Sequence, residues 1–235
     1  LGLVYRSKGD YPKAEDLYGY ALCIREEIYA SDHPMVLATK NNIAQVYASE
    51  ERYGEAISLF ETVIREYCEN STEDSAFLAA VYDNLSTAYR EMERYEDAID
   101  ICTEGLNIRK KIYGKRSLDY AISLNNLALI YYEMGILNNA ADIFSEALAI
   151  KKETLPEIHG QISIGYFNLG LVYDKLHRDN EALENYRASM EIDNELEAYE
   201  DVLLTAEYIA EIYERNDMPE DAEAYRTLCS KDDVH

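Results

Sequence analysis

The sequence predicts an all-α protein in which about six helix-turn-helix repeats stack into a solenoid. One observation is a column of tyrosines that recurs at a constant interval from Tyr5 to Tyr173, with Tyr213 following after a slightly shorter step. A second is an alanine nine residues after each tyrosine, and a third is a small residue three positions before it. These marker tyrosines are Tyr5, Tyr47, Tyr89, Tyr131, Tyr173 and Tyr213, and the marker alanines are Ala14, Ala56, Ala98, Ala140, Ala182 and Ala222.

Each repeat carries two apolar stripes at helical spacing. In the fourth repeat the first stripe consists of Leu127, Ala128 and the marker tyrosine Tyr131. The second stripe starts at Ala140 and continues with Phe144, four residues later. Residues at these spacings fall on one side of a helix, where small side chains let two helices approach closely. A single hairpin cannot bury both stripes, so neighbouring hairpins are expected to share a core.

The turn inside each repeat contains a helix-end signal. Gly9 and Gly135 follow their marker tyrosines by four residues, where a left-handed residue can end a helix. The residue type at this place is not uniform, because larger polar residues replace glycine elsewhere. The replacements are Glu51, Glu93, His177 and Asp217.

The connectors between repeats predict helix starts. In "ASDHPM" we expect Ser31 or Asp32 to cap the next helix and Pro34 to lie in its first turn. The chain opens with "LGLVY" and no initiating methionine, so we expect a piece of a longer protein. We expect a single domain over residues 1–235, with repeats at about 1–36, 37–78, 79–120, 121–162, 163–202 and 203–235.

The composition limits the classes of partner. The sequence has 22 Lys and Arg against 46 Asp and Glu, a formal net charge of −24. Nucleic acids and anionic membranes attract positive surfaces, so neither is an expected partner. No apolar run approaches the length of a membrane span and no signal peptide is evident, so we expect a cytoplasmic protein.

The sequence carries no pattern that indicates catalysis. A phosphate-binding glycine loop, a nucleophile elbow and a paired-histidine zinc helix are all missing from it. We therefore expect no enzyme activity, no cofactor and no metal. The cysteines follow no metal or redox spacing, so we expect free buried thiols in a reducing compartment. They are Cys23, Cys68, Cys102 and Cys229, and the scattered histidines are His33, His159, His177 and His235.

The repeat pattern resembles a known family. A helix pair with "LG…Y" or "LA…Y" followed by "A…Y/F…A" is similar to the tetratricopeptide repeat, and "NNLALIYYEMG" resembles its longer, kinesin light chain type. The resemblance implies a right-handed α-solenoid whose first helices line a concave groove. It also implies a non-catalytic scaffold for protein–protein interaction that binds a peptide along this groove.

Helical angles predict which residues face the groove. Positions six and two before each marker tyrosine, and one and two after it, lie roughly opposite the packed stripe, and we call them the groove positions. The candidate binding residues among them are Asn41, Gln45, Asp83, Thr87, Arg90, Asn125, Leu129, Tyr132, Phe167, Leu171 and Lys175.

Two subsets of the groove positions indicate how a peptide could be held. Leu129, Tyr132, Phe167 and Leu171 suit an apolar anchor pocket, although they could instead pack against a neighbouring helix. The kinesin light chain resemblance implies that Asn41 and Asn125 hold a peptide backbone. The flanking asparagines form a second column, which we interpret mainly as hydrogen bonds between adjacent hairpins. They are Asn42, Asn84, Asn126 and Asn168.

Charge at the groove positions predicts the ligand. The groove positions of the second to sixth repeats include seven acidic residues and three basic ones. We therefore expect the ligand to be a neutral or basic protein segment with an apolar anchor. We expect the protein to be a monomer. An alternative function is a regulatory sensor that controls an attached effector domain or binds a signal peptide. A structural spacer is a further alternative, which predicts a groove without ligand preference.

Overall fold

The computed structural model describes residues 1–71 and 73–230, with side chains described as far as Thr227. This part of the chain folds into twelve helices arranged as helix-turn-helix pairs, which confirms the predicted all-α repeat fold. Cys229, Asp232, Asp233 and His235 lie outside the described side chains, as does the end of the sixth predicted repeat. The helices are α1 (Gly2–Ser7), α2 (Tyr11–Ile28), α3 (Pro34–Ser49), α4 (Tyr53–Asn70), α5 (Ala76–Glu91), α6 (Tyr95–Tyr113), α7 (Leu118–Glu133), α8 (Leu137–Thr154), α9 (Gly160–Lys175), α10 (Asp179–Glu195), α11 (Tyr199–Arg215) and α12 (Pro219–Ser230).

The chain divides into two compact units of three hairpins each. The first unit is Leu1–Gly114 and contains α1 to α6, and the second begins at Lys115 and contains α7 to α12. Within each unit every helix packs against the next one along the chain. Each hairpin therefore shares its apolar stripes with a neighbour, as the repeat pattern predicts.

In the first, fourth and fifth hairpins the two helices are matched in side-chain size. The small residue of the first helix faces the residue four positions after the marker alanine in the second. A Cβ atom added to Gly170 would lie 2.5 Å from the ring of Tyr186, and one added to Gly2 would lie 2.8 Å from the ring of Tyr18. Where the small residue is Ala128, the large residue is Phe144 in the same buried cluster. In these three hairpins glycine therefore accompanies tyrosine and alanine accompanies phenylalanine, which keeps the packing close.

The turns inside the hairpins have one conformation. The residue four positions after each marker tyrosine is left-handed, and the N–H of the next residue donates to the tyrosine carbonyl. In the second hairpin Glu51 has φ 59° and the Arg52 N–H donates to the Tyr47 carbonyl at 2.9 Å. This bond closes a Schellman motif and satisfies a carbonyl at the helix end. The other left-handed residues at this position are Gly9, Glu93, Gly135, His177 and Asp217.

The helix caps correct the sequence expectation. Neither Ser31 nor Asp32 caps α3, because the cap is His33, whose Nδ1 accepts from the Met35 N–H at 3.2 Å. Pro34 is the first residue of α3 as expected, so the cap must be the residue directly before it. The same cap position recurs in the three repeats that follow, at the interval of the marker tyrosines. It is filled by Ser75 for α5, Ser117 for α7 and His159 for α9.

The shorter step from Tyr173 to Tyr213 has a local cause. The connector between α8 and α9 spans residues 155–159, whereas the connector between α10 and α11 spans only 196–198. In the shorter connector Glu197 is left-handed, and the Ala198 N–H donates to the Asp193 carbonyl at 2.9 Å. The chain therefore passes between these hairpins through a Schellman turn like those inside the hairpins.

Candidate functional site

The predicted binding residues lie on the first helices of four hairpins. In the first unit they are on α3 and α5, and in the second unit they are on α7 and α9. Each unit therefore has its own half of the predicted residues. Each half contains one of the two asparagines for which the kinesin light chain resemblance implies a role in holding peptide.

A pair of asparagines joins adjacent hairpins in each unit. The Asn84 side-chain amide donates from Nδ2 to Oδ1 of Asn41 at 3.2 Å, and Asn168 donates in the same way to Asn125 at 3.1 Å. Asn84 and Asn168 thus make the hydrogen bonds between hairpins that the sequence indicates. Asn41 is buried and Asn125 is half-buried, and both accept through their oxygens. Their amide hydrogens are therefore the groups that can meet a ligand carbonyl, and those of Asn125 are the more accessible.

In the first unit two groove positions have partners on other helices. Asp83 is buried, and its carboxylate forms an ion pair with the buried guanidinium of Arg109 on α6. Gln45 is half-buried and its amide oxygen accepts from Arg6 on α1. These contacts tie α5 to α6 and α3 to α1, so both residues hold the framework of this half.

The remaining groove positions of the first unit are more accessible. Thr87 is exposed, and its hydroxyl donates to the Asp83 carbonyl at 3.0 Å. Arg90 is half-buried and forms an ion pair with Glu91. The Thr87 hydroxyl is bonded to the backbone, and the charge of Arg90 is balanced by Glu91. The groove positions of this half are therefore mostly polar and close to neutral.

The second unit brings aromatic rings together. The ring of Phe167 lies 5.6 Å from that of Tyr186 and 5.4 Å from that of Tyr208, between ring centres. Phe167 and Leu171 are half-buried and pack against the buried cluster that contains Tyr186 and Ile209. Rings at these separations have favourable edge and face interactions as well as buried area. Both groove residues are therefore held rigidly while part of each side chain stays accessible.

Leu129 and Tyr132 of α7 have a similar half-buried setting. Both pack against the cluster formed by Ala128, Phe144 and neighbouring residues. The amine of Lys175 lies 3.9 Å from the centre of the Tyr132 ring, at cation–π distance. Burial first, and then nearby carboxylate charge, raises the pKa of Tyr132, so its hydroxyl stays protonated and can donate.

Two important residues of this half, Tyr186 and Tyr208, were not predicted. Tyr186 reaches it from α10 across Gly170, and Tyr208 from α11 stacks on Tyr186 with 5.5 Å between ring centres. Asp174 forms an ion pair with Arg215 at 2.6 Å. Tyr208 had a sequence signal, because it stands five residues before its marker tyrosine, where the earlier repeats have asparagine. Tyr186 had no sequence signal for a binding site, because it lies on the apolar stripe that predicts core packing alone.

The described thiols correct one expectation. Cys102 is buried as predicted, but Cys23 and Cys68 are exposed, and these three cysteines are not joined by disulfides. Cys23 stands nine residues after the marker alanine Ala14, which is half a turn from the packed stripe, so it faces outward. Within residues 1–71 and 73–230, no group of three or more His, Cys, Asp or Glu side chains could hold a metal ion. None of the helices described there is long and apolar enough to cross a membrane.

Sequence profiles of the tetratricopeptide repeat match residues 1–68, 77–153 and 165–196. The chain belongs to the tetratricopeptide repeat family. This confirms the resemblance that the marker columns indicate. The family fold is typically a non-catalytic scaffold for protein interaction. A comparison with curated proteins gives no match.

Several solved structures share this fold. BtubC (BKLC) from P. vanneervenii is 24% identical with a TM-score of 0.75, over 84% of this chain and 78% of that one. A putative kinesin light chain of Podosopora anserina with nearly identical TPR-like repeats is 21% identical with a TM-score of 0.70, over 83% and 93%. The Rap conjugation gene regulator of plasmid pLS20, solved with the Phr* peptide, is 18% identical with a TM-score of 0.65, over 83% and 52%.

Proposed function

We propose that this tetratricopeptide repeat protein binds a peptide segment of a partner protein along the groove positions of its first helices. The observation that carries the proposal is a set of half-buried apolar side chains on the first helices of the second unit. Leu129 and Tyr132 of α7 and Phe167 and Leu171 of α9 each pack on a buried cluster, and the amide of Asn125 is in the same unit. Rigid apolar anchors beside a polar group that can hold backbone are the usual elements of a peptide site.

The charges of this half favour a neutral or basic ligand. Arg215 already pairs with Asp174 and with Asp179, at 2.6 and 2.5 Å. Lys175 lies over the Tyr132 ring. These cations are engaged within the protein, while the net charge of the chain is −24. An acidic peptide would therefore meet repulsion that a neutral or basic peptide would not.

A binding experiment with substitutions tests the site. Replacing Tyr132 and Phe167 together by alanine is expected to weaken binding of a neutral or basic peptide by about 1–3 kcal/mol. Labelled peptides that differ only in charge, titrated by fluorescence anisotropy, supply the measurement. Tyr20→Ala on α2 is the matched control, because Tyr20 is an exposed tyrosine of the first unit. A folded double variant with unchanged affinity, or a clear preference for acidic peptides, contradicts the proposal.

A second candidate function is regulation by a signal peptide. The fold likeness to the Rap regulator solved with the Phr* peptide supports it, because that protein combines this repeat fold with a bound peptide. In this case the peptide would change the geometry of the repeats and thereby control an attached effector domain. Small-angle scattering with and without a bound peptide separates the two. A change in the radius of gyration supports regulation, and an unchanged radius supports a plain scaffold.

A further inference from the structure

A cavity lies in the second unit, away from the groove positions. It occupies about 560 Å³ where the end of α8, the connector 155–159, the start of α9 and the later part of α10 meet. This volume is within the usual range of ligand pockets. None of the predicted binding residues lines it.

The cavity has an apolar floor that continues into the protein core. Ile162 is buried in the same cluster as Phe144, and Ile192 packs against that cluster. Ile158, in the connector, is 47% exposed at the cavity wall. Ala188 of α10 completes the wall with a small side chain. The floor can therefore receive an apolar group, and the exposed isoleucine offers contact area beside it.

The first unit has an ion pair at the matching place. Positions 158 and 195 of the second unit correspond, two repeats earlier, to Asp74 and Lys111. Asp74 and Lys111 form an ion pair at 3.0 Å, which joins the connector to α6. The corresponding residues in the second unit are Ile158 and Glu195. Isoleucine carries no charge, so this bridge cannot form there.

Bulk is also removed in the second unit. Ala188 corresponds to Glu104, so a long side chain is replaced by a methyl group. The first unit has Tyr67 and Phe77 in contact, with 6.1 Å between ring centres. These two aromatic residues are replaced in the second unit by polar ones, at positions adjacent in sequence to residues that line the cavity. The replacements are Lys151, which is buried, and Gln161, whose Oε1 is buried without a hydrogen-bond partner in the described residues.

The charges at the cavity are mostly negative. Glu157, Glu191 and Glu195 all line it. The cation in the described lining is Lys152, whose amine donates to the Tyr166 hydroxyl at 2.8 Å and lies 5.4 Å from the centre of that ring. Three carboxylates against one engaged amine in this lining favour a positively charged partner.

We propose that this cavity is a second binding site, which takes a bulky apolar side chain from a partner segment that carries lysine or arginine next to it. The apolar floor binds the anchor and the three glutamates select the flanking charges. This site is independent of the groove proposed above, because it has different residues and lies at the connector end of the hairpin.

Fluorescence anisotropy with three labelled peptides tests this site. One peptide has a central leucine with lysine flanks, one has serine in place of the leucine, and one has glutamate flanks. The leucine–lysine peptide is expected to bind about tenfold more tightly than either of the others. Equal affinity for the serine peptide contradicts an anchor site, and equal affinity for the glutamate peptide contradicts the role of the carboxylates.

A double substitution locates the binding. Ile158→Asp with Glu195→Lys transfers the ion pair of the first unit to the second, and is expected to weaken the leucine–lysine peptide by about tenfold. The same residue pair occurs in the first unit, so the variant is expected to fold, which circular dichroism checks. The leucine–lysine peptide also suits the groove, so the cavity substitutions are repeated in the groove variant, with Tyr132 and Phe167 replaced by alanine, where the tenfold loss is expected to persist. Binding that is lost in the groove variant and kept in the cavity variant, or no binding at about 1 mM, overturns the proposal.

Discussion

The guanidinium of Arg52 lies 4.1 Å from the centre of the Tyr47 ring, directly after the turn that these two residues close. The backbone of Arg52 also donates to the carbonyl of Tyr47. A marker tyrosine therefore gives its ring to a cation and its carbonyl to the turn, besides contributing to the packed stripe. The same arginine–tyrosine relationship holds for Arg94 with Tyr89 at 4.4 Å and for Arg178 with Tyr173 at 4.6 Å.

The left-handed turn residues predict a gain in stability. Glu51 and Glu93 adopt φ 59° and 58°, which strains a residue with a Cβ atom. Replacing either by glycine is expected to raise the free energy of unfolding by about 0.5–1 kcal/mol, as measured by urea denaturation. Gly135→Ala is the matched control and is expected to lower it by a similar amount. A loss of stability in both glutamate variants would contradict this account.

Two buried tyrosines predict opposite effects of losing a hydroxyl. The Tyr186 hydroxyl is buried with no hydrogen-bond partner among the described residues, whereas the Tyr89 hydroxyl donates to Glu61 at 2.5 Å. Tyr186→Phe is expected to stabilise the protein by about 1 kcal/mol, because it removes an unsatisfied polar group. Tyr89→Phe is expected to destabilise it by about 1–3 kcal/mol, because a bond to a charged group is lost. Thermal and urea unfolding of both variants provide the comparison, and equal shifts would refute it.

The buried thiol of Cys102 predicts a loss of stability at alkaline pH. Burial, with a smaller effect of the Asp83 charge, raises its pKa from 9.0 to about 12. The folded state thus holds the proton more tightly than the unfolded state does. The contribution of the protonated thiol to the free energy of unfolding is complete below pH 9 and disappears as the pH rises toward 12.

Substitution of the thiol isolates this effect. For each protein, the drop in the free energy of unfolding from pH 8 to pH 11 is measured. This drop is expected to be smaller for Cys102→Ala than for the parent chain. The difference between the two pH values removes the cost of the cavity that alanine leaves. Cys23→Ala, at an exposed thiol, is expected to behave like the parent. An identical pH dependence in all three proteins would argue against the buried thiol.

The histidine cap of α9 predicts a rank order of substitutions. Nδ1 of His159 accepts from the Gln161 N–H at 3.1 Å, which satisfies one of the first donors of the helix. His159→Ala is expected to lower the unfolding free energy by about 0.5–2 kcal/mol. His159→Ser is expected to retain most of it, because Ser75 and Ser117 cap their helices at the corresponding position. Equal stability of the alanine and serine variants would contradict the capping role.

The sequence predicted the hairpins well because the marker columns depend on a strict register. It did not identify the caps, because Ser31 and Asp32 have good intrinsic preference but the wrong place relative to Pro34. Helical angles placed Asp83 among the groove positions, but they could not show its ion pair with Arg109. That contact depends on how two helices lie together rather than on one helix face. The cavity was missed for the same reason, since it forms where a connector and three helices meet.

The glycine–tyrosine and alanine–phenylalanine pairs within hairpins restrict how such a protein can evolve. Gly170 tolerates the ring of Tyr186 only because it has no side chain. Genetic recombination with its break inside a turn would join a first helix that carries glycine to a second helix that carries phenylalanine, and would leave a void between them. The opposite junction would force a methyl group into a tyrosine ring. Recombination that breaks the chain in the connectors moves both members of a pair together. Gene duplication is therefore expected to have copied intact hairpins, with boundaries in the connectors.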